Sequence, residues 1–391
     1  MINHDTRIKV YGRKNGMIGI RNHLAVISTV FCANHVAESI VRQVPEAVAI
    51  THHFGCGQLG KDAEQTLRVL TNMGKHPNVG AVLVVGLGCE QIGAHDLAVE
   101  IASTQKPVKT SVIQDEGGTS ATIEKGVTCC RQLIKGMQED VDRISASCSE
   151  LVVGLECGGS DFTSGIASNP AVGIVADLFT DIGARVIFGE TAEALGAEHI
   201  LAERAVNKKV KAFIFNKVAA TEKLAEDMHV DMRGSQPSPG NIAGGLSTIA
   251  EKSLGAICKS GNRPIVDVLE YAEPAGKAGL SFMDCPGQDL ASICGIVAGG
   301  AHAVLFTTGR GTPLGFAIAP VVKISANSEA VKKMAENIDI DLSGILTGDM
   351  NLDDAGRIIA AKVLEVAGGK LSKAEKLGHR EFGFHSIGPT L

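Results

Sequence analysis

The sequence predicts an α/β protein made of two Rossmann-like units with mainly parallel sheets and long glycine-rich loops. Short β-branched runs alternate with helical patterns, as in α/β units. The chain is 45% hydrophobic and 20% charged, so it can bury sizeable cores. It also has 46 glycines in 391 residues, which indicates tight turns or backbone close to a ligand. Because this length exceeds one ordinary domain, we expect a first α/β domain at 1–147 and a second at 148–391 that carries the substrate loops.

The first domain is expected to alternate strands and helices. Its predicted strands are 23–30, 47–52, 79–87 and 108–113. Its predicted helices are 34–43, 61–73 and 119–137. The third strand is hydrophobic throughout, as expected where helices cover both faces of a sheet. Charged and polar residues at 138–149 predict a solvated connection, where we place the domain boundary.

The second domain continues the same pattern. Its predicted strands are 151–155, 185–188, 264–268, 280–284, 303–307 and 321–325. Helices are predicted at 170–182 and 192–204, around 210–218, and over most of the chain from 328. Residues 233–245 lack periodicity and predict a long loop, a feature that is usually functional or disordered.

Composition excludes several classes of function. The formal charge is −6, Trp is absent and aromatics make up 4%, so no nucleic-acid groove is expected. The N-terminus lacks the apolar stretch of a secretory signal. The longest apolar run, 79–89, is shorter than the ~20 residues of a membrane span. A cytoplasmic protein with reduced cysteines and no membrane partner is therefore expected.

Four of the ten cysteines follow predicted strands. They are Cys32, Cys56, Cys89 and Cys157. Ligands of open α/β sheets bind outside the carboxyl ends of the strands, so these thiols could converge on iron or another soft metal. Buried free cysteine is also a common small hydrophobe, and no C-x-x-C spacing is present, so both interpretations stay open.

Two further side chains lie near such positions. His52 precedes Cys56 by four residues and could be a ligand, a base or a structural histidine. Glu190 follows a predicted strand and suits a base or a ligand, whereas Glu193 would complement the dipole of the next helix.

Two glycine-rich loops are candidate substrate loops. One contains Asn241 and leads into a helix with Lys252, and the other carries Arg310 between glycines after an apolar strand. An arginine there can bind a carboxylate with two hydrogen bonds, although surface arginines also occur in flexible turns. Neither loop matches a P-loop or a dinucleotide fingerprint, which disfavours nucleotide cofactors.

Several motifs together resemble the altronate/galactarate dehydratase family. In chain order they are Gly12-Arg13, Gly19-Ile20-Arg21-Asn22, Phe54-Gly55-Cys56, Gly86-Leu87-Gly88-Cys89-Glu90, Cys157-Gly158-Gly159-Ser160-Asp161, Ser238-Pro239-Gly240-Asn241, Glu251-Lys252-Ser253-Leu254-Gly255 and Thr308-Gly309-Arg310-Gly311-Thr312-Pro313. The resemblance implies a lyase that removes water from a sugar acid, such as altronate or galactarate, to give a 2-keto-3-deoxy acid. It also implies iron as the cofactor, as Fe²⁺ or a [4Fe–4S] cluster.

The resemblance assigns expected roles. Iron would be held by Cys56, Cys89 and Cys157, either as one ion or as a [4Fe–4S] cluster, and Cys32 is the candidate fourth ligand of a cluster. His52 or Glu190 would take the substrate proton, and Lys252 would complete the catalytic group. The expected substrate-binding residues are Ser160, Asp161, Asn241 and Arg310.

The resemblance also raises the question of partners. Full-length members begin with a small β-rich domain of the SAF type, whereas this chain starts at the large-domain motif, so a separate small subunit and an oligomer are expected. The family includes the large subunit of a sulfolactate sulfo-lyase, which is the first alternative function. A non-catalytic binding or scaffold subunit and a thiol-dependent enzyme are the others.

Overall fold

The computed structural model describes residues 2–139, 143–235, 237–388 and 390–391, and the chain forms two units. The larger unit comprises Ser147–Gly315 and Pro320–His379 together with the N-terminal residues up to Ile8. The smaller unit comprises Lys9–Ala146, Phe316–Ala319 and Arg380–Leu391. The predicted α/β class with parallel sheets is confirmed.

The smaller unit is built on a parallel four-stranded sheet. In chain order its elements are β1 (Arg7–Gly12), β2 (Ile18–Gly19), β3 (His23–Ser28), α1 (Asn34–Gln43), β4 (Ala47–Ile50), α2 (Gly60–Lys75), β5 (Val79–Gly86), α3 (Ala94–Ala102), β6 (Val108–Val112), α4 (Thr119–Glu139) and β7 (Arg143–Ser147). The strand order is β4-β3-β5-β6, with every pair parallel. Apolar side chains of β3 and β5 pack against α1 and α4 in one buried core. The carboxyl ends of these strands therefore meet at one edge.

The predicted solvated connection at 138–149 is partly wrong. Of its described residues, Arg143–Ser147 form β7, which pairs with β1 in a small sheet of order β2-β1-β7. Only Ala146 of this strand is buried, so the strand lacks the apolar run that would reveal it in the sequence. Backbone pairing rather than side-chain burial makes it a strand.

The larger unit is built on a parallel seven-stranded sheet. Its elements are β8 (Val152–Gly158), α5 (Asn169–Asp181), β9 (Arg185–Phe188), α6 (Glu198–Glu203), α7 (Lys208–Asp227), α8 (Met232–Ser235), α9 (Pro239–Ala243), α10 (Ile249–Ile257), β10 (Ile265–Leu269), β11 (Gly279–Met283), α11 (Asp289–Ala298), β12 (Ala303–Thr308), β13 (Val321–Ser325), α12 (Ser328–Lys333), β14 (Ile340–Asp341), α13 (Gly344–Thr347), α14 (Leu352–Ala367) and α15 (Lys373–Leu377). The strand order is β10-β11-β9-β8-β12-β13-β14. Because β8 lies between β9 and β12, the segments that follow these three strands are neighbours.

Two predicted elements of this unit differ from the structure. The helix expected at 192–204 is divided into a 3-10 turn, Thr191–Ala194, and α6. Gly196 lies between them with φ +87, a left-handed conformation that a continuous helix does not allow. In the loop predicted at 233–245, the described residues contain the end of α8 and all of α9.

No helix in the described part of the chain is both long and apolar enough to cross a bilayer.

Candidate functional site

Asp161 organises the loops at the carboxyl edge of the larger sheet. One of its carboxylate oxygens accepts hydrogen bonds from the Thr163 hydroxyl at 2.7 Å and the Ser164 backbone N–H at 2.9 Å. The other accepts from Asn327 Nδ2 at 2.9 Å. A Cβ on Gly309 would lie 2.1 Å from the first oxygen, so only glycine fits there. Asp161 therefore holds together the loops that follow β8, β12 and β13.

The loop before α9 is attached to the same edge. Asn241 donates from Nδ2 to the Ser160 carbonyl at 2.9 Å, and its Oδ1 accepts from the Ser238 hydroxyl at 3.0 Å. Arg310 is exposed and donates from Nη1 to the Gly240 carbonyl at 2.9 Å. The structure thus brings together the four predicted substrate-binding residues. The side chains of Asp161 and Asn241 mainly hold the loops in place.

A cavity of about 280 Å³ lies beside these loops, close to the smaller sizes of known ligand pockets. The polar side chains of its wall are Ser160, Asp161, Ser164, Asn169, Glu251 and Lys252. Apolar side chains complete the lining, namely Phe162, Ile166, Leu246 and Leu254. Part of the wall is a single π-helical turn, Ser164–Ser168, a rare conformation that is frequent at functional sites. The cavity suits a small polar ligand.

Lys252 supplies the positive charge of this wall. It lies on α10, whose first turn is capped by the Thr248 hydroxyl, which accepts from the Glu251 N–H at 3.1 Å. Its Nζ lies 2.7 Å from Glu193 Oε1, and the two side chains are 15% and 7% exposed. Burial alone would lower the pKa of Lys252, but the Glu193 carboxylate outweighs it and raises that pKa. Lys252 is therefore an ammonium at neutral pH.

Behind Lys252 lies a group that we call the buried charged cluster: Glu156, Cys157, Glu190, Glu193 and Lys259. Lys259 Nζ lies 2.6 Å from Glu190 Oε2 and 3.2 Å from Cys157 Sγ. Cys157 Sγ lies 3.1 Å from Glu193 Oε2. Hydrogen bonds thus run without interruption from Glu190 through Lys259, Cys157 and Glu193 to Lys252 at the cavity wall.

Burial dominates the electrostatics of this cluster. It raises the pKa of Glu190 to about 8, although Lys259 opposes the increase. It also opposes the ionisation of Glu193, but Lys252 and Lys259 outweigh it and lower the pKa of that carboxyl. Burial and Glu190 hold the pKa of the Cys157 thiol well above its usual range. Glu193 is thus the ionised carboxylate of the group, and Cys157 is a neutral thiol.

The donor atoms of Cys157, Glu190 and Glu193 all lie within 4.8 Å of one another. In the described part of the chain, this is the one group of three such residues with that spacing. The Lys259 ammonium already contacts two of the three, so it takes the position that a metal ion would need. The donor set therefore does not fit a metal while Lys259 is in place.

The other predicted metal ligands, Cys32, Cys56 and Cys89, lie in the smaller unit and are all exposed. Cys32 follows β3, Cys56 follows β4 and Cys89 follows β5. Backbone hydrogen bonds join their loops, from Phe31 N–H to the Phe54 carbonyl at 2.9 Å and from Gln91 N–H to the Gly55 carbonyl at 3.2 Å. The three thiols therefore share one edge of the sheet, and Cys157 lies in the other unit.

His52 is held by backbone groups. Its Nδ1 accepts from the Phe54 N–H at 3.1 Å, so its Nε2 donates to the Ser28 carbonyl at 3.0 Å. The residue is 4% exposed, and burial lowers its pKa to about 4. Both ring nitrogens are occupied within the smaller unit, which gives His52 a structural position.

Sequence reasoning missed Lys259, which is 2% exposed and lies in a 3-10 turn after α10. A lysine between cysteine and serine before a glycine is typical of a surface turn, so no local signal pointed to burial. It also missed Glu156, whose Oε2 accepts from the Ser292 hydroxyl at 2.6 Å. The sequence pattern indicates only that Glu193 complements the dipole of a helix. Its contact with Lys252 joins residues far apart in the sequence, which no local pattern predicts.

The cavity with Lys252 in its wall lies at the carboxyl edge of a parallel α/β sheet, where open α/β proteins bind their ligands. The family model "D-galactarate/Altronate dehydratase, C-terminal" matches residues 148–390. The model "D-galactarate dehydratase/Altronate hydrolase, second domain" matches residues 10–138. The chain therefore belongs to the D-galactarate/altronate dehydratase family.

Three relatives match nearly the whole chain. The (2R)-sulfolactate sulfo-lyase subunit beta of Chromohalobacter salexigens is 38% identical, over 95% of this chain and 95% of the relative. The altronate dehydratase of Bacillus subtilis is 35% identical, over 100% of this chain and 79% of the relative. The galactarate dehydratase (L-threo-forming) of Escherichia coli is 33% identical, over 96% of this chain and 75% of the relative.

Proposed function

We propose that this chain is a hydro-lyase that removes water from a sugar acid of the altronate or galactarate class and gives a 2-keto-3-deoxy acid. Membership of the dehydratase family supports the reaction type. The observation that carries the proposal is the Lys252 ammonium, which lines a polar cavity and is held by a buried carboxylate.

The reaction requires charge stabilisation at the substrate carboxylate and a proton for the leaving oxygen. We assign to Lys252 the binding of the substrate carboxylate and of the enediolate formed from it. Glu193 keeps Lys252 positively charged for this role. The Ser160 hydroxyl on the same wall binds a substrate hydroxyl. The exposed Arg310, whose guanidinium holds the Gly240 carbonyl, binds the far end of the acid from the neighbouring loop. Asp161 and Asn241 position these loops.

The buried charged cluster serves proton transfer. A protonated Glu190 can resupply Lys252 through Lys259, Cys157 and Glu193 after Lys252 has protonated the leaving hydroxyl. A pKa of about 8 lets Glu190 exist in both forms near neutral pH, as a proton-transfer group requires. The C2 proton is taken up by the Lys252–Glu193 pair, whose carboxylate is ionised, and the same pair gives a proton to the leaving hydroxyl, so the proton count of the site is unchanged over a turnover.

Iron is assigned to the smaller unit. Cys32, Cys56 and Cys89 are exposed and lie on loops joined by hydrogen bonds, which supports a shared inorganic group. Among the described residues their sulfurs do not form a group within 4.8 Å of one another, which disfavours one shared ion. A [4Fe–4S] cluster takes one cysteine per iron, and three cysteines would leave one iron open. When bound, such a cluster supplies a Lewis acid for a hydroxyl or carboxylate.

Removal of sulfite from sulfolactate is the second candidate function. It is favoured by the relative that matches at 38% identity over 95% of both chains. That relative is a beta subunit, which also supports a separate small partner subunit for this chain. A non-catalytic subunit would give neither product.

The test uses the full chain, purified without oxygen and supplied with iron and a thiol. Altronate, galactarate and sulfolactate are offered separately, and 2-keto-3-deoxy acid, pyruvate-type keto acids and sulfite are measured. We expect 2-keto-3-deoxy acid from a sugar acid and no sulfite. Sulfite from sulfolactate alone would replace the proposal by the second candidate, and no product from any acid would favour a scaffold.

A further inference from the structure

The smaller unit contains a second cavity, of about 90 Å³, that the proposed reaction does not use. Its lining includes Arg13, Lys14, Lys75 and Lys106. Asn22 and Pro107, which directly precede β3 and β6, also line it, so it lies at the amino ends of these strands. The cysteine loops follow the carboxyl ends of the same parallel sheet, which places the two features at opposite edges.

Arg13 is held by uncharged acceptors. Its guanidinium donates to the Pro77 carbonyl at 2.7 Å, to Asn22 Oδ1 at 2.8 Å and to the Arg21 carbonyl at 2.9 Å. A guanidinium has five N–H donors, so two remain without an acceptor among the described residues. Burial lowers the pKa of Arg13 to about 10, although the neighbouring Tyr11 opposes the decrease.

Lys106 has the same kind of surroundings. Its Nζ donates to the Gly74 carbonyl at 2.6 Å and the His76 carbonyl at 2.8 Å, and one N–H remains. Burial, and then the positive charge of Arg13, holds the pKa of Lys106 well below its usual range. By contrast, Lys75 on the same wall has its own partner, Glu100, at 3.1 Å.

Arg13 and Lys106 are neighbouring, half-buried cations with spare donors beside a cavity. No described carboxylate separates their charges, so an anion placed between them would be favoured. Charge-assisted hydrogen bonds to an oxyanion would use the remaining N–H groups and remove the repulsion between the cations. The cavity is several times larger than the roughly 10–15 Å³ that a water requires by the same measure.

We propose that this cavity, which we call the Arg13–Lys106 cavity, binds a small inorganic oxyanion such as phosphate or sulfate. The anion bridges the guanidinium and the ammonium and attaches the β1–β2 turn to the segment before β6. The site is independent of the proposed lyase reaction, and its test does not use turnover.

The experiment is calorimetric titration of the full chain with sodium phosphate and, separately, with sodium sulfate. Sodium chloride at matched ionic strength is the reference. We expect saturable binding that Lys106→Gln weakens by about tenfold or more. Lys211→Gln removes an exposed lysine of the larger unit and should bind as the unaltered chain does. The proposal would be overturned if Lys106→Gln bound the oxyanions as tightly as the unaltered chain does. It would also be overturned if neither phosphate nor sulfate gave more heat than chloride.

A second pair of variants keeps the test decisive if Lys106→Gln does not fold. Gly136 lies on α4 at the cavity wall, and a Cβ there would meet no atom within 4 Å. Gly136→Glu introduces a competing carboxylate, whereas Gly136→Gln introduces the same shape without charge. The Glu variant should lose phosphate binding and the Gln variant should keep it, and equal binding by both would also overturn the proposal.

Discussion

Lys259 Nζ lies 2.6 Å from Glu190 Oε2, and the two side chains are 2% and 0% exposed. A buried lysine–carboxyl pair of this kind contributes little net stability compared with an apolar pair, yet removing one partner leaves the other buried without its hydrogen-bond partner. Its presence beside a hydrogen-bonded route to Lys252 is therefore explained better by proton transfer than by stability alone.

The first prediction concerns this pair. Lys259→Met should lower the free energy of unfolding by about 3–5 kcal/mol, because Glu190 and the Cys157 thiol lose their buried partner. Urea unfolding followed by circular dichroism measures the change. Adding Glu190→Gln should recover part of the loss, since it removes the buried ionisable carboxyl that no longer has a cationic partner. Lys223→Met, which breaks the exposed pair with Asp227, should change stability very little. Equal losses in both lysine variants would contradict this explanation.

The second prediction concerns the cavity wall. Lys252→Gln should lower kcat/KM for the sugar acid by about 10²–10³-fold, because the carboxylate and enediolate lose their cation. Lys252→Arg keeps the charge and should retain part of the activity. Keto-acid formation is the readout, and Lys211→Gln is the matched control. A Lys252→Gln enzyme with normal kinetics would remove this residue from the mechanism.

The third prediction concerns the cysteine loops. Serine at Cys32, Cys56 or Cys89 should lower iron and acid-labile sulfide in protein purified without oxygen, and should abolish turnover while the fold is kept. Cys129→Ser is the control, since Cys129 is buried in α4 and should leave the iron content unchanged. About four iron and four sulfide per chain would match a cluster. Full iron content in all three loop variants would exclude these residues as ligands.

The fourth prediction concerns His52. Its pKa is about 4 in the folded chain, against 6.5 for an ordinary histidine, because of burial. The unfolded chain therefore binds more protons between these values, and stability should fall as pH decreases from 6.5 towards 4, by roughly 3 kcal/mol in total. Above pH 6.5 this contribution is constant. Comparing urea unfolding of the unaltered chain and His52→Gln over this range measures it, and parallel pH profiles would refute it.

Much of the fold could be predicted because buried parallel strands carry strong local signals. The strands at 185–188 and 321–325 and the helix at 34–43 have the bounds that their patterns predict. By contrast, β7 is recognisable only from its pairing with β1, and α3 was not predicted. The glycine that divides 192–204 was visible in the sequence, but its positive φ was not.

The site was predictable as a set of loops but not as a set of contacts. Ser160, Asp161 and Arg310 follow parallel strands that end at one edge, and Asn241, which follows helices, joins them through its hydrogen bond to the Ser160 carbonyl. The partners of Cys157 were not predictable, since Lys259 is 102 residues away in sequence and no local pattern marks it as buried. Long-range pairing of charges is decided by the fold.

The most direct test of the central claim is a competition measurement. The anoxic, iron-supplied chain is given altronate, galactarate and sulfolactate together in equal amounts, and 2-keto-3-deoxy acid and sulfite are quantified in the same sample. A hydro-lyase for sugar acids predicts 2-keto-3-deoxy acid in large excess over sulfite, with loss of that product in Lys252→Gln. Sulfite as the main product, formed while both sugar acids stay intact, would contradict the account.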